Sequence, residues 1–133
     1  MNHVLDACAM LAYLNGETGS DVVEALLVDS AEACYAHSVN LCEVYYDFLR
    51  RSDERIAREA VSDLIANGLV ERRDLSRHFW QTVGAHKARG RISLADCFCI
   101  ALAQRLSADL VTSDRREFEP LVPLGMVAVR FIR

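Results

Sequence analysis

Residues 92–103, ISLADCFCIALA, form a run that is apolar except for Ser93 and Asp96. A helix that is apolar on every side is a buried helix, so the rest of the chain has to be layered around this one. Asp96 then needs a reason to stand where it does. Ser93 and Asp96 have the spacing of a capping box, in which Ser caps the helix and an acid in its first turn answers. A second reading is open beside that one: a carboxylate at the start of a buried helix faces a polar cleft and holds a metal ion, which removes the penalty of a lone charge among core residues.

At 133 residues the chain is long enough to bury most of its unfolded surface as one domain, 1–133, without disulfides or structural metals. No apolar run approaches the length of a membrane span. The start, MNHVLDACAMLAYL, lacks a basic leader and carries Asp6 inside its apolar run, which predicts a cytoplasmic protein rather than a cleaved signal peptide. The five cysteines, Cys8, Cys34, Cys42, Cys97 and Cys99, form no CxxC pair and have no His at finger spacing, so they are expected to be small core residues.

The net charge of −4 argues against a general nucleic-acid coat, but the charge is unevenly spread. Residues 50–91 carry ten basic side chains against six acidic ones, a net +4, and the remainder is −8. The result is a basic flank beside an acidic body. A solvated helical surface is the plain interpretation of that flank, and a phosphate-holding track is the functional one.

Along the chain, strands and helices alternate. HVLD at 3–6 is a short apolar strand, and ACAMLAYLN after it keeps helical density until Gly16. A helix is expected over 21–29 with Ser20 as its cap, then a strand over 32–37. Ser38 opens a strong helix, VNLCEVYYDFLRR, with Leu41, Tyr45, Phe48 and Leu49 as its apolar stripe and Asn40, Glu43, Asp47 and Arg50 opposite. Ser52 or Asp53 caps ERIAREAVSDLIAN, which Gly68 ends. A strand over 69–72, a helix over LSRHFWQTVGAHKAR closed by Gly90, and the buried helix follow. ADLVTSD is a strand with Asp114 past its end, REFE a single helical turn stopped by Pro120 and Pro123, and MVAVRFI a last strand. Apolar rather than alternating strands, separated by helices, define an α/β three-layer sandwich: a parallel sheet of about five strands with helices on both faces.

Ligands of such sheets bind beyond the carboxyl ends of the strands, at a topological switch point. Asp6 ends the first strand and Asp114 follows the fourth; Asp96 and Glu43 stand early in helices that begin near the same edge. Each has an ordinary alternative, a helix cap for Asp6 and Asp114 and a solvent-facing position for Glu43. Four carboxylates converging at one edge would repel and raise one another's pKa values. A divalent cation such as Mg²⁺ or Mn²⁺, which takes oxygen ligands and holds phosphates, resolves that conflict.

In that order, VLDACAMLAYL, VNLCEVYYDFLRR, ISLADCFCIALA and LVTSDRREFEPL make the chain resemble the PIN-domain ribonucleases that serve as toxins of VapBC-type toxin–antitoxin pairs. The likeness runs from Met1 to the closing VRFIR. It implies that Asp6, Glu43, Asp96 and Asp114 are the catalytic, metal-binding acids, that Thr112 of the TxD pattern is a supporting hydroxyl, and that Glu117 is a further acid near the site. It implies Mg²⁺- or Mn²⁺-dependent hydrolysis of RNA by in-line attack of water, leaving a 5′ phosphate, with Arg50, Arg51, Arg89 and Arg91 of the basic flank holding RNA. It also implies a small antitoxin partner and a toxin homodimer. The helices AMLAYL and VVEALL, expected to offer more apolar side chains than the sheet can bury, are the predicted seat of the antitoxin, with plain core packing as the alternative. Cys8 departs from the pattern, because the family usually has Ser or Thr two residues after the first Asp, and thiols are poor hydrogen-bond partners. An aspartyl-phosphate phosphatase would need a second Asp at that position, and a phospho-receiver domain a Lys after a late strand; neither is present. The remaining rival is non-enzymatic, a PIN fold kept as an RNA-binding or protein-interaction module.

Overall fold

The structure is a computed structural model describing residues 1–133. Its elements are β1 (Asn2–Leu5), α1 (Ala7–Leu14), α2 (Ser20–Val28), β2 (Ala33–His37), α3 (Ser38–Arg51), α4 (Glu54–Ala66), β3 (Val70–Arg72), α5 (Arg77–Arg89), α6 (Leu94–Leu106), β4 (Asp109–Thr112), α7 (Arg115–Phe118), a 3₁₀ turn (Glu119–Leu124) and β5 (Val129–Phe131). The five strands form one sheet in the order β3-β2-β1-β4-β5, and every neighbouring pair is parallel.

Because side chains alternate across a strand, each central strand feeds two cores. Val4 and Leu110 pack with Phe79 and Val83 of α5 and Cys99, Ile100 and Leu102 of α6. Leu5 and Val111, one residue on, pack with Met10, Val23, Leu41, Val44 and Leu64 from α1 to α4. That division is the three-layer sandwich, with α6 buried along most of its length as its sequence demands.

The helix starts follow local chemistry, with some shifts from expectation. Asp53, not Ser52, caps α4 through the Ile56 amide. Ser20 is not a cap: it is the first residue of α2, and Gly19 precedes it at φ 98° with no side-chain cap. Gly is required there, since a Cβ at Gly19 would lie 2.7 Å from the Ile132 carbonyl oxygen. On α3, Val44 joins Leu41 in the core, whereas Leu49, assigned to the apolar stripe, is exposed and Asn40, assigned to the polar face, is fully buried. Cys42 is exposed and Cys8 half-buried, so only three of the five cysteines are core residues. The surplus of exposed apolar side chains expected on α1 and α2 is not there: Met10, Val23 and Leu26 are buried, Leu11, Tyr13, Leu14, Val22 and Leu27 pack partly against the core, and of their larger apolar residues only Val28 is exposed. No helix is long and apolar enough to cross a membrane.

Candidate active site

The chain leaves β1 toward β2 on one side and, after β3, returns to lay β4 on the other side of β1. That reversal is a topological switch point, and the loops after β1 and β4 diverge there. Asp6 follows β1 directly, and Thr112 is the last residue of β4 with Asp114 just beyond.

Asp6 is only 1% exposed. Its Oδ1 accepts from the Ala9 amide at 2.8 Å and its Oδ2 from the Thr112 hydroxyl at 2.5 Å. The cap expected of Asp6 is therefore real, and the second oxygen has a separate partner in the next strand. Thr112 Oγ1 in turn accepts from the Asp114 amide at 2.9 Å, so one hydroxyl fixes both acids. Asp114 caps α7 through the Glu117 amide, and Glu117 Oε1 accepts from the Ser93 amide at 3.0 Å. Ser93 Oγ accepts from the Asp96 amide, which makes the α6 cap real.

Asn40 is the residue that pattern reading assigned to the wrong side. Its Nδ2 donates to Glu43 Oε1 at 3.3 Å and to the Ala95 carbonyl at 3.2 Å, tying Glu43 to the first turn of α6. Its buried Oδ1 has no partner. The signal available in sequence was the three-residue spacing between Asn40 and Glu43, which puts them on neighbouring positions of one helix face.

The electrostatics join these residues into one cluster. Burial is the main cause that pushes the Asp6 carboxyl up to about 7, and the charges of Asp96 and Asp114 add to it against the Thr112 and Ala9 hydrogen bonds. Asp96 is raised to about 6, first by burial and then by Glu43, Glu117 and Asp114, against the bond with Ser93. Burial raises Glu43 as well, with Asn40 opposing. The Cys8 thiol is pushed up to about 12 by burial and by the fields of Asp6, Asp114, Asp96 and Glu43.

None of Asp6, Glu43, Asp96, Asp114 or Glu117 belongs to an ion pair. No three His, Cys, Asp or Glu side chains lie close enough, as they stand, to enclose an ion. Mg²⁺ does not need such an enclosure, because it keeps several waters and takes one or two carboxylates directly. An all-oxygen donor set, raised carboxyl pKa values without a cationic partner, and an orphaned amide oxygen on Asn40 fit a hard, hydrated divalent ion.

The basic flank divides on inspection. Arg55, Arg58, Arg72 and Arg73 are paired with Glu59, Glu54, Asp74 and Glu71. Arg51 is bound to Asp47 at 2.6 Å, and Arg50 lies over the Tyr46 ring. Arg89 and Arg91 make no ion pair, and with Arg116 they line a hollow that Glu117 also borders. The flank is thus mostly the solvated helical surface of the plain interpretation, and of its cations without an ion pair Arg89 and Arg91 stand together beside the hollow.

A parallel α/β sheet with carboxylates gathered at its switch point is an architecture that hosts many activities. The family is narrower: the PIN domain family model matches residues 3–120, and the chain belongs to that family. No curated protein sequence matches the chain. Among solved structures, VapBC2 from Rickettsia felis bound to a promoter DNA fragment superposes with a TM-score of 0.74 at 14% identity, covering 98% of each chain. DNA-bound VapBC from Salmonella typhimurium gives 0.74 at 15% identity over 100% of this chain and 99% of that one. VapC20 from Mycobacterium tuberculosis, a sarcin–ricin-loop-cleaving toxin, gives 0.71 at 12% identity over 89% and 94%. The fold is that of the VapBC toxins.

Proposed function

We propose that the chain is an endoribonuclease that hydrolyses RNA phosphodiester bonds with a bound Mg²⁺ or Mn²⁺ ion, and that it is the toxin of a toxin–antitoxin pair. The observation that carries the reading is the buried Asp6 carboxylate, raised first by that burial and further by the charges of Asp96 and Asp114, and paired with no cation. Asp6, Glu43, Asp96 and Asp114 would hold the ion. When bound, the ion supplies charge neutralisation at the phosphodiester and a water-derived nucleophile at neutral pH. Thr112 ties the Asp6 carboxylate to the Asp114 backbone amide, Ser93 fixes the first turn of α6, and Asn40 aims Glu43. Glu117 holds the Ser93 end of the cleft. Arg89 and Arg91 meet the RNA backbone beside it, with Arg50 and Arg51 on the α3 side.

The partner reading rests on relatives that are toxin–antitoxin complexes. A small antitoxin would cover the cleft, and the toxin itself would form a homodimer in the cytoplasm. Light scattering of the chain alone and co-expressed with an upstream-encoded partner tests both.

Asp96→Asn tests the enzyme. The Ser93 cap uses the backbone amide of residue 96, so the change leaves it in place and removes only the charge. Metal-free stability should hold or rise through relieved repulsion, while RNA cleavage falls by orders of magnitude. Undiminished cleavage would return Asp96 to a capping role and favour the non-catalytic module.

A further inference from the structure

We infer that the hollow between the α5–α6 turn and the segment after α7 is a nucleotide subsite, which takes the base and sugar next to the phosphodiester held at the carboxylates. The inference rests on the nuclease reading of the neighbouring cleft and adds where the flanking nucleotide goes. The hollow has a volume of about 360 Å³, in the range of pockets that enclose small ligands. Its walls are of two kinds. Ile92, Ile100, Leu121 and Met126 are aliphatic, and Arg89, Arg91 and Arg116 bring guanidinium groups to the same space.

The three arginines are exposed, and none is in an ion pair. Most other arginines of the chain are paired, so this cluster stands out: three guanidiniums against the single carboxylate of Glu117, which pairs with none of them. Like charges around an apolar hollow are unfavourable until an anion enters. A purely apolar protein segment would satisfy the floor and leave the guanidiniums facing hydrocarbon; inorganic phosphate would satisfy the guanidiniums and leave the floor in water. A nucleotide meets both, with the flat face of its base on the aliphatic wall and its phosphate in charge-assisted bonds to Arg.

The hollow also lies beside the acid cluster, with Glu117 between them. Glu117 borders it, and the same carboxylate holds the Ser93 amide at the cap of α6. Glu117 also acts on the Asp96 carboxyl through its charge. One wall therefore separates the guest of the hollow from the acids, and an RNA strand with a phosphate at those acids passes its next nucleotide over that wall.

The test uses the full chain in EDTA, so that neither metal nor hydrolysis enters. Adenosine 5′-monophosphate and ribose 5-phosphate are titrated separately and followed by backbone amide NMR shifts. Shifts should be confined to residues 89–92 and 116–126, with the nucleotide at least about tenfold tighter than the sugar phosphate. Arg91→Ala and Arg116→Ala should each weaken nucleotide binding about tenfold, the effect of losing one charge-assisted bond. Leu124 is 64% exposed at the mouth of the hollow, so Leu124→Glu folds normally and should abolish binding. Equal affinity for the two ligands, or shifts elsewhere, overturns the subsite. So does a Leu124→Glu variant that binds nucleotide as the parent does but loses a co-expressed antitoxin, since the hollow is then a protein-docking surface. A chain that cleaves RNA yet binds no nucleotide here refutes the subsite alone; one that binds nucleotide here yet cleaves nothing keeps the subsite and refutes the nuclease.

Discussion

Asp6→Asn should make the metal-free protein more stable, by an amount set by pH. In the unfolded chain the Asp6 carboxyl ionises at its ordinary value of 3.8, and in the fold at about 7. A carboxyl whose folded pKa is raised favours the fold fully below the unfolded value, and that advantage is lost as pH rises to the folded one. Across the gap from 3.8 to about 7, at about 1.4 kcal/mol per pH unit, the loss is about 4 kcal/mol. Asparagine never ionises and avoids it. Its Oδ1 still accepts from the Ala9 amide, but its Nδ2 faces the Thr112 hydroxyl, which must turn its proton away and forfeit about 1 kcal/mol. The variant should therefore exceed the parent by about 3 kcal/mol at pH 8 and lie within about 1 kcal/mol of it at pH 5. Urea unfolding of both proteins in EDTA at the two pH values measures the difference, and subtraction removes the other titrating groups. A variant that is destabilised at pH 8, or whose difference from the parent is the same at both pH values, would show that Asp6 is simply a satisfied cap and not a carboxylate held against its own charge.

Mn²⁺ should raise the melting temperature by linkage and bind more weakly as pH falls through 7 and then 6, where Asp6 and Asp96 take up protons; calorimetry near pH 6 in buffers of different ionisation enthalpy should register released protons. Cys8, held near 12, should react with a thiol-alkylating reagent at pH 8 far more slowly than exposed Cys42, and saturating Mg²⁺ should speed it by neutralising the acids; a rate indifferent to Mg²⁺ would detach Cys8 from an ion site. Asn40→Ala should cost about 1–3 kcal/mol of stability, since it unbinds a buried network, and lower kcat more than KM by freeing Glu43; urea unfolding and steady-state cleavage kinetics separate the two effects.

The layered fold was legible because its signals are local and repeated. The runs HVLD, ADLVTSD and MVAVRFI each hold most or all of a parallel strand, the last shortened to Val129–Phe131, and the mostly apolar 92–103 segment lies in the buried helix. The convergence of Asp6, Asp96 and Asp114 was legible too, because position at a strand or helix end fixes which sheet edge a residue faces. Side-chain direction on α3 was less so. Leu49 and Asn40 were sorted by polarity, yet Asn40 turns inward to meet the Ala95 carbonyl of α6, a contact that depends on how two helices cross and not on either sequence. The same limit hid which acids of the middle third are already engaged: Arg105 of α6 reaches Asp74 in the loop after β3, and only the folded chain reveals that pairing.

The hydrogen bond between Asp6 and Thr112 spans 106 residues. A ribosome that has released β1 to β3 has released Asp6 and Glu43, but not the buried helix, the TxD segment or the strand that locks Asp6 in place. A chain extended only as far as β3 therefore lacks Asp96, Thr112 and Asp114, and the carboxylate cluster assembles only once the last quarter of the sequence is in place.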